Sequence, residues 1–363
     1  MGTEHILNWI WLSKALKFGK IKRLHSIVRS ADEIYHMSDY SEFDFLSPSD
    51  VDSLQNKNLD EAKAILGDCQ RKNIYVIVWD SKAYPPLLRQ ISEPPLVLYA
   101  KGIIPDWNNI FTVGIVGTRQ MSAYGNRITS SFSEMIAERG CVVVTGLALG
   151  NDIVATRAAI RKGKFTIALL GCGADVVYPK ANELEYDYLS KNGLLLTERP
   201  PGESPYSWNF PKRNRILAGI CNAVVVTEAP EKSGALITAH IAADEGRDVY
   251  AFPGNINQKV CRGTNKLIQE GVTPLVTPES FFDNYPQFCD VKEDKAPAEK
   301  QNETIVSGIE KKIYDALFER DMTTDELMEA TQLSPTECNS ACFMLELKRI
   351  IERKPGNLYH REL

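Results

Sequence analysis

The sequence predicts an α/β fold: a doubly wound, mostly parallel sheet with a helical segment in front and a three-helix module with a hairpin wing behind. Three observations predict it. Between Phe111 and Val276, short runs such as 113–116, 142–144 and 223–227 are unbroken in β-branched and apolar residues. That pattern marks strands covered on both faces, hence a parallel sheet. Helical segments separate these runs, so the crossovers are helical and the sheet is doubly wound. The loops after the strands carry glycines, hydroxyls and cations, which places a phosphate-binding crevice at the strand ends.

Size and composition agree with a multidomain globular chain. The chain has 363 residues, of which 44% are hydrophobic and 25% charged, enough for two or three domains. A formal net charge of -5 argues against wholesale coating of a polyanion but allows a local basic groove. The 8 cysteines form no CxxC pair, so buried thiols in a reducing compartment are expected rather than a zinc site. The N-terminal stretch is acidic where a leader peptide is basic, and no run of 18 apolar residues appears. A cytoplasmic protein with no membrane span, metal or cofactor is the expectation.

In chain order, residues 1–72 read as short helices, with Ser30 placed to cap a helix at Ile34 and Pro48 opening another. A strand at 74–79 follows, and 96–99 adds an edge strand before a turn at Gly102. The core then alternates strands at 113–116, 142–144, 165–170, 194–197, 223–227 and 249–252 with helices at 125–139, 153–161, 183–190, 215–219, 235–245 and 264–270. Polar, Pro-rich sequence from Pro278 to about Glu303 marks a linker. The domains are therefore set at 1–72, 73–284, a linker 285–306, and 307–363. In the last, helices at 310–320, at 324–330 with Thr323 or Thr324 as cap, and at 335–347 precede two strands around a turn at Pro355-Gly356-Asn357. Ser334 and Glu337 form a capping box for the third helix. This is a winged helix. Its third helix carries Thr336, Glu337, Asn339, Ser340 and Glu346, with cations only at Lys348 and Arg349. So weak a basic footprint favours a protein-contacting or structural role over DNA contact.

The candidate site residues sit at the strand ends. Gly117, Thr118 and Arg119 follow the first core strand. There glycine admits a phosphate to the backbone, free N–H groups favour an anion, and arginine adds a two-pronged contact. The full dinucleotide fingerprint is missing. Asp152 either caps the next helix or approaches a ligand. Phe210, Lys212, Arg213 and Asn214, read as a connecting segment stiffened by Pro211, combine a stacking ring with cations. Lys232, Ser233 and Gly234 form an anion seat before an apolar helix. No GxSxG, HExxH or Walker motif is present, so binding is favoured over turnover.

Taken together, these motifs resemble the DNA-processing protein A (DprA/Smf) family. The resemblance rests on an ordered set: Tyr84 to Leu88, Pro94 to Gly102, Gly117-Thr118-Arg119, Ser122 to Gly125, Gly146 to Ala148, Gly150, Asp152, Tyr178-Pro179, Phe210 to Arg215, Lys232 to Gly234, Pro253-Gly254 and Gly263 to Asn265. The resemblance implies a Rossmann-like core that dimerises and binds single-stranded DNA without catalysis. It implies loading of the RecA recombinase during natural transformation and displacement of single-strand-binding protein. It also implies a sterile-alpha-motif-like domain in front and a winged helix behind. Arg119 would be the DNA-contacting arginine, with Phe210, Lys212, Arg213, Asn214 and Lys232 lining the same positive pocket. The chain departs from the family pattern at Thr145, Leu149, Asn151 and Thr156, where Ser, Arg, Ile and His are usual. Loss of the cation at 149 weakens any phosphate contact made there. The rival readings are a nucleoside-monophosphate-cleaving enzyme, whose Pro-Gly-Gly-x-Gly-Thr pattern is split here, and a nucleotide-binding sensor.

Overall fold

A computed structural model describes residues 2–288, 308–317, 321–347, 350–354 and 358–361. Cys289, Phe318, Lys348, Arg349, the turn at 355–357 and the linker from 289 to 306 lie outside the described residues. The chain forms two compact units, Met1–Asp290 and Val291–Leu363.

The first unit opens with five helices: α1 (Thr3–Ala15), α2 (Phe18–Val28), α3 (Ala31–His36), α4 (Pro48–Gln55) and α5 (Asp60–Arg71). Their starts are written in local chemistry. The Ser30 hydroxyl accepts from Glu33 N at the head of α3. Ser47 and Asp50 form a reciprocal capping box before α4, with Pro48 in the first turn, where no N–H is needed. The apolar sides of these helices do not close on themselves. Trp9, Ile10, Leu12, Leu54 and Cys69 share a core with Val78, Val97 and Tyr99 of the sheet.

The sheet has nine strands in the order β1-β2-β6-β5-β4-β3-β7-β8-β9. β1 (Tyr75–Val78) and β2 (Val97–Gly102) are joined through α6 (Pro86–Arg89), and both are antiparallel to their neighbours. The parallel part starts with β3 (Thr112–Val116), α7 (Ala123–Glu138), β4 (Val142–Thr145), α8 (Asn151–Arg161), β5 (Thr166–Leu169), α9 (Glu183–Asn192) and β6 (Leu194–Thr197). It returns through α10 (Asn209–Ile220), β7 (Ala223–Val226), α11 (Gly234–Asp244), β8 (Asp248–Ala251), α12 (Arg262–Gln269) and β9 (Thr273–Pro274). Every residue of β3 to β7 is buried, as unbroken apolar runs require. One face packs on α7 and α8 through Phe132, Ile136 and Ala155. The other packs on α10 and α11 through Ile216, Leu217, Leu236 and Ala239. The chain fills the sheet outward from β3 through β4, β5 and β6, then crosses back to β7 on the other side of β3. The ends of β3 and β7 therefore flank the switch point where such sheets bind ligands.

Three expectations are corrected. The strand at 96–99 is not at the edge: β2 is internal because it pairs with β6 on one side and with β1, the outermost strand, on the other. The helix expected at 215–219 begins at Asn209. The polar stretch from Pro278 does not leave the fold at once: Phe281, Phe282 and Tyr285 lie in the core, and Phe288 packs at a tilt against Phe111 with ring centres 5.1 Å apart. Three aromatics are enough to anchor a segment whose average composition is polar.

In the second unit, α13 (Ile309–Ala316), α14 (Thr324–Thr331) and α15 (Pro335–Leu347) pack on a three-stranded sheet. Its order is β10 (Met322–Thr323), β12 (Leu358–Arg361), β11 (Ile351–Lys354). Thr323 caps α14 in a box with Glu326, and Ser334 pairs with Glu337 as expected. The two-residue β10 adds a strand to the expected wing. It is too short to leave a period in the sequence.

The seven cysteines among the described residues are all buried, and none is in a disulfide. Burial pushes the thiols of Cys69 and Cys141 up to about 12 and that of Cys172 to about 11. No helix among the described residues is long and apolar enough to cross a membrane.

The α4 cap yields a pH test. Lys20 and Ser47 hold the Asp50 carboxyl at about 2, below its ordinary 3.8. A depressed acid stabilises the fold fully above the unfolded value and loses that contribution as pH falls through the folded one. Asp50→Asn should therefore cost about 0.5–2 kcal/mol at neutral pH, measured by urea denaturation. The gap to the parent should close as pH falls from 3.8 towards about 2.

Candidate functional site

The loops after β3 and β7 are locked together before any ligand arrives. Thr118 N donates to Glu228 O at 2.7 Å, and Asn151 N donates to Thr118 O at 3.0 Å. Gly117 fits because a Cβ there would lie 2.6 Å from the Asn151 side chain. Asn151 is fully buried, and its Oδ1 accepts from the hydroxyls of Thr129 (2.9 Å) and Thr227. Gly150, at φ +75°, packs on the Arg119 backbone, where a Cβ would stand 2.4 Å from the carbonyl oxygen. These contacts fix the Arg119 backbone and send its side chain outward. It is exposed and makes no ion pair among the described residues. Its guanidinium carbon lies 5.9 Å from the centre of the Phe210 ring.

The N-terminus of α7 is not the open anion seat that the sequence suggests. The Glu228 carboxylate occupies it, accepting from Ser122 N at 2.8 Å and from the Ser122 hydroxyl at 2.6 Å. Ser122 in turn accepts from Gly125 N at 3.1 Å. Gly125 is required, since a Cβ there would meet Glu228 at 2.3 Å. Glu228 is 1% exposed. Sequence reasoning missed it. The only signal is a carboxylate directly after the apolar β7 run, where an uncompensated charge would be costly.

The basic cluster lies within α10. Pro211 fits there because the first N–H groups of a helix need no intrahelical acceptor. Helical spacing then divides the cluster. Phe210, Arg213 and Asn214, at i, i+3 and i+4, line the strand-end crevice together with Gly117, Thr118, Arg119, Lys232, Ser233 and Gly234. Lys212 turns away and lines a second crevice with Arg215 and Lys17.

Arg213 is 6% exposed, and its guanidinium donates to Gly146 O at 2.8 Å and to Leu169 O. It thereby ties the ends of β4 and β5 rather than facing solvent. Asp152 neither caps α8, whose N-cap is Gly150, nor lies free. It reaches back to accept from Gly146 N at 3.0 Å and Ala148 N at 3.4 Å. Burial pushes its carboxyl up, opposed by the nearby charge of Arg213. Thr145 and Thr156 share a hydroxyl hydrogen bond of 2.9 Å. Leu149 is 46% exposed on the lip of an apolar recess it shares with Tyr178, Leu170, Cys172 and Phe210. The rings of Tyr178 and Phe210 are 5.5 Å apart.

On α11, Ser233 is the N-cap and accepts from Ala235 N at 3.2 Å. Lys232 before it is exposed, with no ion pair among the described residues. The crevice thus offers two free cations, Arg119 and Lys232, a half-buried ring at Phe210, and the amide of Asn214. Among the described residues no group of three or more His, Cys, Asp or Glu is placed to hold a metal.

Residues 75–286 match the sequence profile of DNA recombination-mediator protein A, and residues 295–357 match that of the DprA winged helix domain. The chain belongs to the DNA recombination-mediator protein A (DprA/Smf) family. Protein Smf of Synechocystis is 32% identical over 85% of this chain and 85% of its own length. DNA processing protein A of Streptococcus pneumoniae superposes with a TM-score of 0.63 at 32% identity, over 76% of this chain and 97% of that one. DNA processing protein A of Helicobacter pylori, described for its single-stranded DNA binding mode, gives 0.54 at 27% identity, over 59% and 96%.

The two arginines of this family member should separate cleanly in stability. Arg213→Met strands two carbonyls and the Asp152 charge, and should cost about 3–5 kcal/mol. Arg119→Met, at an exposed position, should stay within about 0.5 kcal/mol of the parent. Urea denaturation of the two variants reads the difference.

Proposed function

We propose that this chain binds single-stranded DNA in the strand-end crevice and acts as a recombination mediator, loading RecA recombinase onto DNA taken up in natural transformation. One observation carries the reading. Arg119 and Lys232 stand exposed and unpaired among the described residues in the crevice that Phe210 lines, while Glu228 fills the helix start that would hold a lone nucleotide phosphate. Cations on a rim, beside a ring face, suit successive backbone phosphates with a base laid on the aromatic. The similarity to the Helicobacter pylori protein, described for its single-stranded DNA binding mode, supports this.

The contacting residues in this reading are Gly117, Thr118, Arg119, Phe210, Asn214, Lys232, Ser233 and Gly234. Arg213 holds the crevice in shape, and Lys212 contributes from outside it. A homodimer sets two crevices side by side so that one strand spans both. A separate surface holds the recombinase, and single-strand-binding protein is displaced from the strand. The winged helix, 307–363, has a protein-contacting or structural role rather than a part in DNA contact.

Replacing Arg119 and Lys232 together by Ala should weaken binding of oligothymidylate about tenfold or more. It should also flatten the plot of log affinity against log salt by about 0.7 for each cation lost. Anisotropy titrations over a salt series measure both, and an unchanged slope would remove these two residues from the interface.

A further inference from the structure

The loop between β6 and α10 carries a feature that the strand-end crevice does not use. Tyr206 and Trp208 stack on each other with ring centres 4.6 Å apart and planes 5° from parallel. Both are exposed, at 47% and 59%. Two large rings this open to water are costly to display unless a partner covers them. The other four tryptophans of the chain are buried or half-buried, so the exposure is particular to this position.

The loop is held rigidly. Glu203 O accepts from Gly173 N at 2.9 Å, Gly202 N donates to Asp175 at 2.8 Å, and Asn209 N donates to Tyr206 O at 3.0 Å. The Asn209 amide holds the Glu203 carboxylate at 2.8 Å. A stack fixed in this way loses little entropy on accepting another ring.

Its position is equally specific. The loop gives Pro205 and Ser207 to the strand-end crevice, and Pro200 and Glu203 to the second crevice lined by Lys212 and Lys17. It is the ridge between them. Lys212 lies four residues beyond Trp208, one helical turn along the same side. In the second crevice most charges are spent on each other. Arg199 and Arg215 hold Glu198, and Lys14 holds Glu61 at 2.9 Å. Lys17 and Lys212 make no ion pair among the described residues and face one unpaired carboxylate, Glu93. Lys17 sits at the N-cap of α2 without a side-chain cap bond, where a cation opposes the helix dipole. Helix stability therefore does not explain it.

We propose that the Tyr206–Trp208 stack is a second base platform: a single strand leaving the Arg119 crevice lays a base on the Trp208 face and carries its next phosphates to Lys212 and Lys17. This extends the single-strand reading above and rests on it. It gives the N-terminal helices a direct part in holding DNA, and it gives Lys212 a role outside the strand-end crevice.

The test uses the full chain and two oligothymidylates, of about 6 and about 20 nucleotides, bracketing the footprint of a typical single-strand groove. Trp208→Ala should weaken the long oligonucleotide by about 5- to 100-fold, the range of one base–aromatic stack. It should leave the short one within about twofold, and Trp208→Phe should restore the long one. Lys17→Ala and Lys212→Ala together should flatten the salt dependence for the long oligonucleotide alone. Tryptophan fluorescence should be quenched by the long oligonucleotide in the parent and not in Trp208→Phe. Unchanged affinity of Trp208→Ala for the long oligonucleotide overturns the platform and leaves the stack to a protein partner. An equal loss at both lengths also overturns it, by placing Trp208 within the first crevice. Arg119→Ala in parallel tests the underlying reading separately. If it leaves both lengths unchanged, the strand-end site fails whatever Trp208 does.

Discussion

The site depends on a buried cation. The guanidinium of Arg213 reaches under Phe210 to the carbonyls of Gly146 and Leu169, which are polar groups at the ends of two parallel strands. Such ends normally turn to water or a ligand. Satisfied from within, they tie the β4 and β5 loops to α10. The Asp152 carboxylate does the matching work for the N–H groups of the same loop, and Glu228 does it for α7. Internal charges thus settle the strand-end backbone, and the exposed cations can face outward on a fixed frame.

The division of labour within α10 follows. A six-residue run containing three cations looks like a uniform positive patch in sequence. Wound into a helix, it points one cation inward to the carbonyls, leaves Lys212 on the outer side, and pairs Arg215 with Glu198. Two crevices emerge from one segment. Charge density in sequence is therefore a poor measure of charge offered to a ligand, because each side chain is allotted to a different neighbour.

Much of the fold was legible because its signals are local. The core strands are continuous apolar runs, the caps at Ser30, Ser334 and Glu337 are spelled out within four residues, and the ordered motifs carried the family. What escaped depends on distant partners. Pro211 and its cations disguised the first turn of α10, since helix propensity there is low and the apolar side appears only from Ile216 onward. Glu228 could not be paired with Ser122 across 106 residues. Asn151, where the resemblance predicts Ile, meets the hydroxyls of Thr129 and Thr227 through its Oδ1. The internal position of β2 required knowing that β1 pairs along its outer side.

The buried cysteines bear on how the molecule meets oxidants. Burial suppresses the thiolate, the form that attacks disulfides and electrophiles, and the packed core denies access to all seven sulfurs among the described residues. In those residues sulfur chemistry is gated by unfolding rather than by the redox state of the surroundings. A maleimide added to the folded protein would meet little thiolate there, so labelling of these positions would clock the opening of the core.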